Sequence, residues 1–245
     1  MRILVFNSKG GCGKSLLTRE IIAAPIAAET VIAEIDTLNQ TQLTYKDKFK
    51  DVIELDKSNI KDLLIHLNSH EKLVIDVGAD NLTTTLNTLV KYQLFDDIDM
   101  VIIPITSGRT DEINGLKTYV ALTEHKTRIM FAFSRCIENE KLEDQYKVFF
   151  NNLQKSGLKT IEGNYIVIRE SDIFADAQNI KELVINMANS VDDHKKLALN
   201  AKANGDMIRY EEHMQKELTK RAAKILVNDC ILPAHNTIMQ FAAKK

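Results

Sequence analysis

The sequence contains no run of 18 consecutive apolar residues, so no membrane-spanning helix is expected. Its three cysteines, Cys12, Cys136 and Cys230, stand far apart with no CxxC pair. That spacing excludes a zinc ribbon and a disulfide framework, and it fits a reducing compartment. Nine glycines and three prolines are too few for a collagen-like or loop-rich scaffold. Neither charge sign dominates: 32 Lys and Arg face 34 Asp and Glu, leaving a formal charge of −2. A uniformly basic nucleic-acid coat protein is thereby excluded, although a local basic face is not. The six histidines show no HExxH or other close metal-ligand spacing. There is no internal repeat and no low-complexity segment. Residues 1–6 are apolar but too short for a signal peptide, so a first strand and a cytoplasmic location are expected.

What is present is ample for a core: 245 residues, 44% hydrophobic and 27% charged. Strand-like apolar runs at residues 3–6, 31–35, 73–75, 100–105, 129–133 and 165–168 alternate with helical patterns at 15–28, 60–67, 84–95, 111–124, 142–155 and 172–188. This alternation predicts an α/β fold, a mostly parallel twisted sheet flanked by helices. From residue 192 onward the strand signal stops, and helices at 192–203 and 206–227 are expected on either side of Gly205. The expected organisation is a domain over 1–190 followed by a C-terminal helical extension over 191–245. In parallel sheets ligands bind beyond the carboxyl ends of the strands, so chemistry is sought there.

Directly after the first strand stands Asn7-Ser8-Lys9-Gly10-Gly11-Cys12-Gly13-Lys14-Ser15. Gly13, Lys14 and Ser15 match the end of the phosphate-loop pattern GxxxxGK[ST], while Ser8 occupies the position of its first glycine. Glycines let successive amides turn inward around phosphate oxygens, and the following helix adds its positive N-terminal end. Lys14 would then neutralise phosphate charge, and the Ser15 hydroxyl would ligate Mg²⁺. Asp76, after the strand Leu73-Val74-Ile75, is the candidate second support for the metal. Asp36 closes the second strand.

The run Lys9-Gly10-Gly11-Cys12-Gly13-Lys14-Ser15 resembles the deviant Walker A box, KGGxGK[ST], of the ParA/MinD superfamily of ATPases. The resemblance covers about residues 1–190, strongest at this loop. It implies ATP and Mg²⁺ as cofactors, with Gly10, Gly11, Cys12, Gly13, Lys14 and Ser15 binding nucleotide and Ser15 and Asp76 holding the metal. Lys9, Lys14 and Asp36 would act in catalysis, Lys9 by reaching the nucleotide of a second subunit. Asp36-Thr37-Leu38-Asn39-Gln40 is similar to the family's D-x-D-P-Q, but Leu38 stands at the second aspartate, so slow hydrolysis is expected. Ser134 falls where the family places an adenine-reading asparagine, and residues 166–171 resemble its adenine-side loop. The resemblance implies an ATP-dependent homodimer acting as a switch in plasmid or DNA segregation, with a centromere-binding or adaptor protein as partner. Lys195, Lys196, Lys202, Arg209, Lys216, Lys220, Arg221 and Lys224 make the C-terminal helices the candidate surface for non-specific DNA binding. A MinD-like membrane role for residues 237–245 is the alternative; packing of this short segment on the body is the favoured expectation. A second alternative is a weakly hydrolysing nucleotide-binding scaffold.

Overall fold

The computed structural model describes residues 1–36, 41–56, 59–125, 127–155, 161 and 163–243. Seven strands form one parallel sheet: β1 (Arg2–Val5), β2 (Val31–Ile35), β3 (Asp51–Glu54), β4 (Leu73–Val77), β5 (Met100–Thr106), β6 (Ile129–Cys136) and β7 (Tyr165–Arg169). Their spatial order is β3-β2-β4-β1-β5-β6-β7. Every pairing is parallel.

The continuous apolar runs read as strands because both faces of the sheet are covered. Successive side chains alternate faces. Ile3 and Val5 join one core while Leu4 and Phe6 join the other. Met100 and Ile102 likewise oppose Val101, Ile103 and Ile105. On the face of Leu4 and Phe6 lie α2 (Leu63–Ser69), α3 (Leu82–Lys91), α4 (Arg109–Thr123), α5 (Leu142–Gln145) and α6 (Lys147–Lys155). The other face is covered by α1 (Lys14–Leu16) and the turns that prolong it, by α7 (Asp172–Asn179) and α8 (Val184–Ala188), and by the C-terminal helices.

Four elements differ from the expected pattern. Strand β3 is an edge strand of four residues with only Val52 buried, too short and too polar to show a strand period. The helix expected over 15–28 leaves the α conformation after Leu16, widening to a π-helix over Leu17–Ala23 and tightening to a 3₁₀ turn over Ala24–Glu29. Pro25 sits at the start of that last turn, and Ile26 is non-helical. The helix expected over 142–155 breaks at Tyr146, whose buried ring lies edge-on to Phe133 while its hydroxyl donates to the Ser134 carbonyl at 2.5 Å. The helix expected over 172–188 divides into α7 and α8 around Lys181, which adopts a left-handed φ of 54°.

That second break has a partner in the core. Glu20, fully buried in the π-helix, accepts from the Val184 amide at 3.0 Å and pairs with Arg19 at 2.8 Å. The Arg19 guanidinium in turn lies 4.2 Å from the centre of the Tyr45 ring.

Beyond residue 190, α9 (His194–Ala203) and α10 (Met207–Leu226) form a hairpin through Gly205, which has φ 76°. Asp193 and Asp206 cap the two helices by accepting from the amides of Lys196 and Arg209. A π-helical stretch, Val227–Ile231, leads into α11 (Leu232–Ala243). Leu226, Ile231, Ala234 and Ile238 pack in the same core as Ile3 and Val5. The segment therefore packs on the body, as its weak apolarity suggested. Among the described residues no helix is long and apolar enough to cross a membrane.

Candidate functional site

The strand order reverses beside β1, whose neighbours are β4 and β5. A cavity of about 660 Å³ opens at the carboxyl ends of these strands, the place where such sheets bind ligands. Its floor is the loop from β1 into α1, with Gly10, Gly11, Gly13, Lys14 and Ser15 in the lining. Gly11 and Gly13 hold φ of 76° and 87°, a left-handed backbone that L side chains rarely adopt. Glycine at these two positions is what permits the loop to curl.

Side chains fix the loop from beneath. The Asn7 side-chain amide donates to the Pro104 carbonyl at 2.6 Å, and its Oδ1 accepts from the Lys9 amide at 3.2 Å. Lys14 is 7% exposed, and its Nζ donates to the carbonyls of Lys9 at 2.9 Å and Asn7 at 3.3 Å. A buried ammonium held by neutral carbonyls and the Cys12 sulfur is a cation poised for an anion. Cys12 turns inward: it is buried, its thiol donates to the Lys9 carbonyl at 3.1 Å, and burial pushes its pKa up. It thus contributes its backbone to the loop, and the cavity lining does not include it. Lys9 also lies outside the lining; its half-exposed Nζ stands 3.9 Å from Asp111 of its own chain.

The acidic side comes from β2 and β4, whose register pairs Glu34 with Asp76. Asp76 is buried against Ser15 and Gln42, and Gln42 Nε2 donates to its Oδ2 at 2.8 Å. Burial raises the Asp76 pKa; the hydrogen bonds from Gln42 and Ser15 and the charge of Lys14 oppose that rise, while Asp36 adds to it. Asp36 lines the cavity and lies over Gly78, where an added Cβ would meet its carboxyl carbon at 2.6 Å. Glu34 accepts from the Gln42 amide at 3.0 Å, from the Leu43 amide at 3.3 Å and from the Thr41 hydroxyl at 3.2 Å. Burial still pushes its carboxyl up to about 7.

The far wall carries Ser134, Arg135 and residues 168–178 from the end of β7 into α7. Ser134 is 5% exposed, its hydroxyl has no partner among the described residues, and it would lie 3.5 Å from a Cβ placed on Gly13.

The structure therefore gathers Gly10, Gly11, Gly13, Lys14, Ser15, Asp36 and Asp76 around one cavity, and leaves Lys9 and the Cys12 side chain outside its lining. Residues 37–40, which include Leu38, lie outside the described residues. Glu34 and Gln42 escaped the sequence reading. Glu34 looks like a strand residue, and nothing in a single sequence tells that Gln42 folds back eight residues later; the alternation Val31-Ile32-Ala33-Glu34-Ile35, with one acid inside an apolar strand, was the available signal.

No protein-family model matches this sequence, and no curated protein does either. Solved structures do match the fold. A ParA family ATPase from Chlorobium tepidum TLS superposes with a TM-score of 0.53 at 14% identity, over 77% of this chain and 92% of that one. The septum site-determining protein MinD of Pyrococcus horikoshii OT3, complexed with Mg-ADP, gives 0.50 at 15% identity, over 74% and 86%. A protein assigned to plasmid partition in Borrelia burgdorferi B31, bound to AMPPNP, gives 0.50 at 17% identity, over 89% and 98%. By its parallel sheet, its strand order and these likenesses, the chain has the fold of the ParA/MinD ATPases.

Proposed function

We propose that this chain is a slow ATPase of the ParA kind, binding ATP·Mg²⁺ in the cavity at the end of β1 and acting as a nucleotide-dependent dimerisation switch in DNA segregation or plasmid stability. The observation that carries this reading is the buried Lys14 ammonium above two left-handed glycines, facing Ser15 and Asp76 across the same cavity. The residues fit a magnesium triphosphate: a cradle that only glycine can line, one buried cation for the phosphates, and a hydroxyl and a carboxylate as hard oxygen donors for Mg²⁺. When bound, the metal supplies positive charge where phosphoryl transfer concentrates negative charge.

The chain's own groups do the rest. Amides of the loop and the start of α1 would hold phosphate oxygens, and Lys14 would exchange its loop carbonyls for them. Ser15 and Asp76 would hold the metal. Asp36, held at the cavity wall over Gly78, would orient the attacking water. Ser134 and the 168–178 wall would receive the base. Lys9 would exchange its distant Asp111 contact for a phosphate of a second subunit, closing two chains face to face over two nucleotides. Hydrolysis would reopen the pair.

DNA contact is assigned to the exposed cations of α9 and α10, and a centromere-binding or adaptor protein would set the cargo. A cytoplasmic site of action follows from that role. Packing of Ala234 and Ile238 in the core supports this reading over a membrane role for the C-terminal helix.

Calorimetry with ATP in magnesium and in EDTA tests the binding step; the expected result is magnesium-dependent binding, and its absence overturns the whole reading. Sedimentation with ATP, ADP and no nucleotide tests the switch, with a dimer expected only with ATP. Mobility-shift assays at several salt concentrations then test DNA, and binding should require ATP and weaken steeply with salt.

A further inference from the structure

The nucleotide reading leaves one fully buried polar side chain of the cavity corner without a role. Gln42 has no exposed surface, and its amide is shared between Asp76 Oδ2 at 2.8 Å and the Ser15 carbonyl at 2.9 Å. These contacts join the two residues assigned to the metal. The orientation of the amide is fixed by charge, since reversing it would set Oε1 against the Asp76 carboxylate. The other end of the same amide, Oε1, is buried with no hydrogen-bond partner among the described residues, and Gln42 stands behind the cavity lining. An unsatisfied buried acceptor costs about 1–3 kcal/mol, so this pose is held against a cost by the contacts of Nε2 and of the backbone behind it.

The backbone behind Gln42 is built to hold this pose. Glu34 gathers the Gln42 and Leu43 amides and the Thr41 hydroxyl onto one buried carboxylate. Glu34 and Asp76 are register partners on adjacent strands. The Gln42 carbonyl then accepts from the Tyr45 amide at 2.9 Å, closing the turn. Three donors on one acid make residues 41–43 a fixed bracket.

We propose that Gln42 is the positioning residue of the metal site: Nε2, shared between Asp76 Oδ2 and the Ser15 carbonyl, orients the Asp76 carboxylate toward the cation that Ser15 and Asp76 hold, and Glu34 is the buttress that keeps Gln42 in place. The inference rests on the magnesium–nucleotide reading and adds an outer partner to it. Such outer-shell partners set ligand orientation, and their loss typically lowers metal affinity 10- to 100-fold.

The test is calorimetric titration of the purified full chain with AMPPNP, once in magnesium and once in EDTA, on wild type, Gln42→Ala, Gln42→Met and Glu34→Gln. The quantity read is the tightening that magnesium brings. Gln42→Ala and Gln42→Met, the second preserving side-chain bulk, are expected to lose about 10-fold or more of it while binding in EDTA stays within about twofold of wild type. Glu34→Gln, which keeps one acceptor oxygen, is expected to lose less. Should Gln42→Ala fail to fold, Gln42→Met reads the same quantity. The proposal is overturned if either Gln42 variant keeps the full magnesium effect, or if binding falls equally in magnesium and EDTA, which is the signature of a merely structural residue. If wild type itself binds no AMPPNP, the nucleotide reading fails instead, so the two failures are distinct.

Discussion

The corner at the end of β1 and the α9–α10 hairpin are both rich in polar residues, and they are built on opposite principles. At the corner, Asn7, Lys14, Glu34, Gln42 and Asp76 are each buried and each hydrogen-bonded, Lys14 to its own loop and Asn7 to Pro104 across 97 residues. On the hairpin, charge is exposed and paired locally, as in Arg221 with Glu217 one turn away at 2.7 Å and Arg209 with Asp206 at 3.5 Å. Burying a polar group is costly unless the fold satisfies it, whereas an exposed ion pair costs and gains little. The corner is therefore an arrangement held against its own desolvation cost, the mark of a site. The hairpin is a screened surface suited at most to salt-sensitive contacts.

Substitutions can break or sharpen this contrast. Lys14→Ala should weaken nucleotide binding about 10- to 100-fold, the worth of a charge-assisted contact to phosphate, as read by calorimetry. An unchanged affinity would erase the distinction between the two regions. Gly78→Ala should force Asp36 aside and lower ATP turnover by roughly tenfold or more while leaving nucleotide affinity near wild type, read by steady-state kinetics.

His235 tests where the C-terminal helix meets the corner's supporting helix. Its imidazole is buried, with Nδ1 at 3.1 Å from the Ile21 carbonyl, and burial holds its pKa below the usual value. The folded state refuses a proton that the unfolded chain accepts below about pH 6.5, so this residue's contribution is complete above that pH and is lost as pH falls through the folded value. Thermal melts from pH 7.5 to 5 should show His235→Gln flattening that acid limb relative to wild type. The smallest effect is expected on the hairpin: Arg221→Ala should change stability by no more than about 0.5 kcal/mol, measured by denaturant unfolding.

Most of the sheet was legible because its buried strands are mostly apolar runs, and β2, at Val31–Ile35, has the bounds its run predicts. The glycine loop was legible because its spacing is local and its chemistry is borne by neighbouring residues. What was not legible depends on distance. Tyr146 and Lys181 break helices whose periodicity runs on unbroken, because a buried hydroxyl and a turn toward Glu20 outweigh local preference. Glu34 and Gln42 meet only through a fold-back that no period announces. The four residues of β3, two of them acidic, pair at an edge where one buried valine suffices.

The adjacent pair Arg19–Glu20 has a mechanical consequence. One residue leans on Tyr45, in the stretch that follows Gln42; the other accepts from the amide of Val184, at the start of α8 and beyond the 168–178 wall. Both sit in the π-helix that springs from the glycine loop. Opening the mouth on either flank must carry this hub along or break the Arg19–Tyr45 contact on one side or the Val184–Glu20 hydrogen bond on the other. The cleft thus resembles a tripod whose legs share one bolt: whatever settles on the glycines is felt on both flanks together.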